Sequence, residues 1–322
     1  MIIYRFHKPN KEKEYTIKNK KGDIINDKKI LSYVESLVIP PAYKNVKINM
    51  EKNPKILYEG YDDKGRKQQI YSKSWTKRAT KKKFKELFLF GKTLPKIYLD
   101  INRHIQNPKL TKEKIISIII KIISVCYFRV GNLKYQKLYG SYGISNIQKR
   151  HVKLVTPNSI QIKFIGKKGV ENECWVNDKI IIDELTNLYN SKKSNDYMFN
   201  YIKNGECFMI KAIDINNWLK SYHHSFTSKM FRTFDTNTLL IDYLKKYPPT
   251  KESLNSRKKI IVQAMKEISG CVNNTPAICK KNYASNDLIE MYIQNPKNYE
   301  KEFSNNNVSR VNFINFLKKN IT

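Results

Sequence analysis

Acidic residues are scarce in this chain of 322 residues: 28 Asp and Glu stand against 61 Lys and Arg, a formal net charge of +33. That shortage disfavours cationic ligands and points to a polyanionic partner, nucleic acid ahead of anionic membrane. Cysteine is sparse and odd in number. Cys126, Cys174, Cys207, Cys271 and Cys279 include no C-x-x-C pair, so they read as reduced thiols and not as a disulfide frame or zinc site. Long apolar runs are missing too. The longest, Ile115 to Val130, is broken by Lys121 and carries Arg129, which excludes a bilayer span and suggests a buried helix. The opening MIIYRFHKPN has no apolar h-region and reads as no secretory signal. An intracellular protein with no membrane partner is the expectation.

Several catalytic motifs are also absent. Gly91-Lys92-Thr93 has the tail of a P-loop, but Glu86 stands where its first glycine is needed, which excludes ATP hydrolysis by that route. The acids form no D-x-D or D-x-x-x-E cluster in an apolar setting for two-metal chemistry. His7, His104, His151, His223 and His224 show no ligand spacing. An enzyme built on this sequence is expected to work without metal or cofactor.

What is present is a foldable chain. With 40% hydrophobic and 12% aromatic residues it is no disordered basic tail, and its length suggests two domains. Up to about residue 76 the runs IIYRF, EYTI, VKIN, KILYEGY and QQIYSK read as short strands. Asp62-Asp63-Lys64-Gly65 reads as a hairpin turn between two of them. The Lys-rich stretch 76–84 has no apolar period, which reads as a linker or the first exposed turn of a helix. The expectation is a β-rich domain over 1–77 and a mostly α-helical domain over 78–322, an α+β chain. A β-hairpin is embedded in the second domain, with Gly166-Lys167-Lys168-Gly169 at its basic tip. Ser304–Asn307 reads as a loop, and VNFINFL near the end as a last helix.

Only nine of the basic residues are Arg. Arg129 lies in IISVCYFRVG with no acid within ten residues, and Arg232 lies in MFRTFD with Asp235 as a nearby partner. Guanidinium groups in apolar settings either hold carbonyls or distant acids, or bind phosphate bidentately. Thr275-Pro276 is an N-cap/N1 pair opening the helix TPAICKKNY, on which Thr275, Cys279 and Tyr283 share a face.

In this order the segments IPPAY (39–43), YDDKGRKQQIY (61–71), FRVGNLKY (128–135), IKFIGKKG (162–169), FRTFD (231–235) and NTPAICKKNY (274–283) resemble the poxvirus-type DNA topoisomerase IB family and its giant-virus relatives. The resemblance implies a clamp of two domains, acting as a monomer that encircles double-stranded DNA, in a viral setting such as the virion or a cytoplasmic factory. It implies Tyr283 as nucleophile, Arg129 and Arg232 as phosphate-binding groups, and Lys167 as general acid, with Lys168 adjacent. Gln68, Gln69 and Tyr71 are similar to a base-contacting strand, and Lys134 and Tyr135 to a helix entering the major groove. Lys67, Asn132 and Lys281 complete the implied DNA-binding set. There are two departures. Asn274 stands where the family usually has His, and Gln69 and Ile70 where it often has aromatics. A tyrosine recombinase shares the same arrangement and is the alternative enzyme. A basic DNA-packaging protein without catalysis is the alternative binder.

Overall fold

The N-terminal strands form one antiparallel sheet in a computed structural model that describes residues 1–8, 11–303 and 307–321. β1 (Ile2–Lys8), β2 (Lys11–Lys18), β3 (Lys44–Asn49), β4 (Ile56–Tyr61) and β5 (Lys67–Tyr71) are ordered β2-β1-β3-β4-β5. Alternation puts Ile3, Val46, Ile48 and Tyr58 on one face, where they bury with Ile17 and Val34. Val34 belongs to α1 (Lys28–Ser36), a helix absent from the sequence reading, whose Ile30 and Leu31, with the C-cap Leu37, pack beside it. Asp27 starts it as N-cap, its carboxylate accepting from the Lys29 and Ile30 N–H groups. The IPPAY segment is fixed from below by Arg5, which is buried and donates to the carbonyls of Ile39, Pro40 and Tyr43.

The chain folds as two units, residues 1–83 and residue 84 onward. Of the two readings of the Lys-rich stretch, linker or exposed start of a helix, the helical one holds for 77–83. It lies inside α2 (Lys73–Ile105), a continuous helix. The Lys-rich half of α2 has no apolar period because little of it is buried. Its later half buries Phe84, Leu87, Phe90, Leu94, Ile97 and Ile101 on one stripe. Gly91 of the supposed P-loop tail sits mid-helix, where a Cβ would fall 2.6 Å from the Phe234 ring.

The second unit is mostly helical. α3 (Lys112–Cys126) is central, with Ile115, Ile118, Ile119, Ile122 and Ile123 buried. α4 (Leu133–Tyr139) follows with no buried residue. The embedded hairpin is larger than the sequence suggests. β6 (Val152–Thr156), β7 (Ser159–Ile165) and β8 (Glu171–Val176) make a three-stranded antiparallel sheet. Then come α5 (Lys179–Asn190), a second hairpin of β9 (Asn200–Lys203) and β10 (Glu206–Met209), and α6 (Ala212–Lys220). α7 (Lys229–Leu244), α8 (Leu254–Cys271) and α9 (Pro276–Asn282) lead to Tyr283.

After Tyr283 the sequence suggests a short amphipathic helix and, at VNFINFL, a last one. Among the described residues there are three helices there, α10 (Asn286–Gln294), α11 (Pro296–Phe303) and α12 (Ser309–Ile321). Leu288, Tyr292, Tyr299, Phe303, Phe313 and Phe316 bury them in the chain's own core. The expected loop at 304–307 falls almost wholly outside the described residues. Among those described, no helix is long and apolar enough to cross a membrane.

The reading of all five cysteines as reduced thiols is corrected. Cys126, at the end of α3, and Cys174, on β8, form a disulfide across 48 positions of sequence. No local spacing announces it, because the pair is made by the packing of β8 on α3.

Candidate active site

A cavity of about 530 Å³ in the second unit is lined by Arg129, Lys167, Lys168, Lys229, Arg232, Asn274 and Tyr283, with Phe128, Thr275 and Ile278 among the others. Four separate segments meet there.

The first is the turn after α3. Tyr127 ends the helix in the left-handed region at φ 55°, and Phe128 and Val130 bury on either side of Arg129. Gly131, at φ 110°, allows a close crossing: a Cβ there would fall 2.1 Å from Asn146 Oδ1. Arg129 Nη2 donates to Asn274 Oδ1 at 2.6 Å.

The second segment is α7. Arg232 is buried and donates from Nη1 to the Tyr127 carbonyl and from Nη2 to the Val272 carbonyl. Asp235 is not its partner, contrary to the sequence reading. That carboxylate meets Arg310 of α12 instead, at 3.5 Å. The Arg232 guanidinium carbon lies 5.3 Å from the centroid of the Tyr283 ring, and Lys229 Nζ lies 5.8 Å from it.

The third is α9. Thr275 caps it through the Ile278 N–H, with Pro276 at its first turn, as the sequence implies. Tyr283 is the C-cap residue and is 6% exposed. Burial pushes its phenol toward the neutral form, but Arg232 and then Arg129 outweigh that, helped by hydrogen bonding from Arg232 and Asn274. The net shift is downward from the ordinary tyrosine value. Cys279, one turn earlier on the same face, is the opposite case. Burial drives its thiol up to about 11, which leaves it a poor nucleophile beside an activated phenol.

The fourth is the tip between β7 and β8. Gly166 N–H donates to the Val170 carbonyl at 2.7 Å, and the buried Asn172 side chain donates to the same carbonyl at 2.9 Å. A Cβ on Gly166 would fall 2.3 Å from Asn172 Nδ2. Lys168 takes φ 66° to close the turn. Both Lys167 and Lys168 are exposed and reach the cavity rim.

One residue that the sequence reading missed supports the tyrosine from behind. Asn237 is fully buried on α7. Its Nδ2 donates to the carbonyls of Thr233 and Tyr283 at 2.7 and 2.9 Å, and its Oδ1 accepts from the Ser285 N–H at 2.7 Å. An Asn in mid-helix is a weak helix former, and that is the local signal the sequence offers.

The remaining candidates lie outside the cavity. On β5, the sheet edge, Lys67 pairs with Glu59 at 2.9 Å and Gln69 donates to the same carboxylate at 3.0 Å. Gln68 donates to Asp62, and Tyr71 stacks on Trp75 at 4.5 Å. Asn132 is engaged as the N-cap of α4, accepting from the Lys134 N–H at 2.8 Å. Tyr135 is exposed and stacks on Tyr139 of the same helix. Lys281 is exposed in the last turn of α9. Lys67, Gln69 and Tyr71 alternate onto one face of β5, and α4 buries none of its residues.

Residues 72–308 match the family model for the eukaryotic DNA topoisomerase I catalytic core, and residues 14–62 match that for the bacterial DNA topoisomerase IB N-terminal domain. The chain is 32% identical over 280 residues to the DNA topoisomerase 1B of Acanthamoeba polyphaga mimivirus, covering 84% of this chain and 82% of that one. It is 25% identical over 241 residues to the DNA topoisomerase 1B of Vaccinia virus (strain Copenhagen), covering 74% and 72%. To the mitochondrial DNA topoisomerase I of Rattus norvegicus it is 21% identical over 199 residues, covering 60% and 32%.

Proposed function

The chain belongs to the type IB DNA topoisomerase family, isomerases that act on DNA, and we propose on that footing that it relaxes supercoils through a 3′-phosphotyrosyl intermediate at Tyr283. The observation that carries this reading is the meeting of Arg129, Arg232, Asn274 and Lys167 around one phenol.

The Tyr283 oxygen attacks the scissile phosphorus in line. The new bond is a phosphotyrosine on the 3′ side, and the bond that breaks releases the 5′ oxygen. Arg129, Arg232 and the Asn274 amide hold the non-bridging oxygens as charge builds in the transition state, each contact worth about 10²–10³ in rate. Lys167 gives its proton to the departing 5′ oxygen, a contribution of roughly 10²–10⁴. The lowered pKa of Tyr283 raises the fraction of phenolate available at neutral pH. The ester conserves the energy of the broken bond, so religation runs back along the same path without ATP. Positive side chains supply the charge stabilisation, so no metal is required in this scheme.

While the strand is open the downstream duplex swivels. We assign the excess of lysine to a diffuse grip on duplex phosphates, with the two units of one monomer encircling the DNA and the polar face of β5 and α4 turned to the grooves.

The test is relaxation of negatively supercoiled plasmid in EDTA without nucleotide, with the covalent adduct trapped in detergent. Relaxation and adduct are expected with the wild-type protein, and neither with Tyr283→Phe. An adduct that persists in Tyr283→Phe, or relaxation that stops in EDTA, overturns the corresponding part of the scheme. Strand exchange between two synthetic duplexes would favour a recombinase instead. Full retention of the DNA effects in Tyr283→Phe would favour a packaging protein.

A further inference from the structure

One helical turn beyond Arg232 on α7 lies Asp235, 3% exposed. At that spacing the carboxylate is the nearest natural partner for the guanidinium, yet the two do not pair. Arg232 commits Nη1 and Nη2 to the Tyr127 and Val272 carbonyls. Among the described residues, neither Arg232 Nε nor Asp235 Oδ2 has a hydrogen-bond partner, although both are buried. Asp235 Oδ1 faces Arg310 Nη2 at 3.5 Å. Arg310 comes from α12 and lies over the Tyr98 ring of α2, 5.4 Å from its centroid. Its neighbour Ser309 donates to Asp242 of α7 at 2.5 Å, and Phe313 packs edge-on against Phe234 with centroids 5.4 Å apart. The catalytic-core match ends at residue 308, so this cation reaches the back of α7 from a helix beyond the match.

We propose that Arg310 is a positioning residue for DNA cleavage: by holding Asp235 it keeps that carboxylate from capturing Arg232, and so leaves Arg232 beside Tyr283. The inference rests on reading Arg232 as a phosphate-binding group.

A buried carboxylate needs a cation or a proton. Two guanidinium groups are within reach of α7, and Arg232 has a free Nε with which to answer. Were Arg232 to turn to Asp235, it would give up the Tyr127 carbonyl and its place by the phenol. The other titratable groups facing Asp235 are Tyr98 and Tyr127. Burial raises both phenols, Tyr127 to about 12, so both stay neutral and offer no compensating charge. Burial lifts Asp235 itself to about 7, with Arg310 opposing the rise. Without Arg310 the competition should therefore be absent where Asp235 is protonated and grow as pH rises through its pKa.

The experiment is single-turnover cleavage of a duplex oligonucleotide by the full chain across a pH series. Arg310→Gln is expected to cleave roughly two- to thirtyfold more slowly above the Asp235 pKa, with unchanged DNA affinity and a deficit that shrinks at lower pH. Adding Asp235→Asn to Arg310→Gln should restore the rate, and Asp235→Asn alone or Arg310→Lys should cleave nearly as wild type. A wild-type rate in Arg310→Gln overturns the proposal. So does a double variant as slow as Arg310→Gln, since Arg310 would then only dock α12. If Arg310→Gln does not fold, a slow Asp235→Asn or Arg310→Lys still overturns it, and wild-type rates in both support it. Arg232→Gln separates the two readings. Undiminished cleavage there removes the phosphate-binding role itself, whereas its loss beside a normal Arg310→Gln removes only this inference.

Discussion

Arg129 Nη2 and Asn274 Oδ1 are 2.6 Å apart, a contact that fixes which way the Asn274 amide faces. With the oxygen taken by a guanidinium, the NH₂ group is the donor: one hydrogen goes to the Val272 carbonyl at 3.4 Å, and the second is left for the cavity that Asn274 lines with Tyr283. Asn cannot titrate, so this donor is present at every working pH. Asn274→Ala should slow cleavage on the order of 10²-fold. Asn274→His should restore much of the rate but introduce a new dependence near about pH 6.5, the ordinary imidazole value. The pH profile of single-turnover cleavage checks both. An Asn274→His profile identical in shape to wild type would mean that this side chain does not touch the phosphate.

The two arginines that hold phosphate in the proposed scheme also draw the Tyr283 proton off. The phenol is shifted down despite its burial because Arg232 and Arg129 favour phenolate. Cleavage should therefore rise with pH and level off below the ordinary tyrosine value of about 10. Arg129→Gln removes one source of the shift, so its Tyr283 pKa should move up. Beyond a drop of about 10²–10³ in the maximum, its profile should level off at higher pH than wild type. A plateau at an unchanged pH would show that Arg129 does not act on the phenol.

Asn237 holds the main chain on both sides of Ala284, through the Tyr283 carbonyl and the Ser285 N–H. Asn237→Asp keeps the acceptor for Ser285 but loses the donor to Tyr283 and adds a buried charge. Asn237→Ala leaves both backbone groups unpaired, at about 1–3 kcal/mol each. Both variants should cleave more slowly, and Asn237→Ala should also melt at lower temperature. Cleavage by Asn237→Asp at the wild-type rate would show that the Tyr283 carbonyl needs no anchor.

The sequence made the local chemistry of this site readable and its tertiary wiring much less so. Thr275-Pro276 announces α9 because capping is a matter of adjacent residues. The strands of the N-terminal sheet are visible because a half-buried sheet alternates every second residue. Asp235 and Arg232, by contrast, look like an ion pair at i, i+3, and nothing local says that Arg310, 75 positions further on, takes the carboxylate. α1 is amphipathic, with Ile30, Leu31, Val34 and the C-cap Leu37 at helical spacing against the sheet, but at nine residues it is too short to stand out among the strand-like runs around it. The Lys-rich start of α2 is readable only as linker or exposed helix, because its buried residues begin at Phe84.

The Cys126–Cys174 disulfide is the feature least accessible to a reading of spacing, and it has a mechanical consequence. It joins the end of α3, three residues before Arg129, to β8, the strand that returns from the Lys167 tip. Closing a loop across 48 positions stabilises by about 4 kcal/mol on the chain-entropy account. Cys174→Ser, or reduction of the wild type, should lower the denaturant midpoint and slow cleavage, with Cys207→Ser as a neutral control. Labelling of unfolded protein by a thiol reagent counts the free cysteines. Five reactive thiols without prior reduction would show the pair to be open in solution.

Lys167 and Lys168 both reach the cavity rim, and the proposed scheme needs only one proton donor. They differ in backbone. Lys168 occupies the left-handed region at φ 66° and closes the turn, whereas Lys167 directly follows Gly166 at the end of β7. A turn-closing residue acts through conformation, so Lys168→Gly should be close to neutral for cleavage, the left-handed geometry suiting glycine. Lys167→Ala should cleave roughly 10²–10⁴-fold more slowly. A 5′ bridging sulfur needs little protonation to depart, so a substrate carrying one should recover most of the Lys167→Ala loss while leaving Arg232→Gln impaired. If the sulfur substrate rescues Lys168→Gly instead, the general acid is Lys168. Rescue of neither would place the proton donor outside this turn.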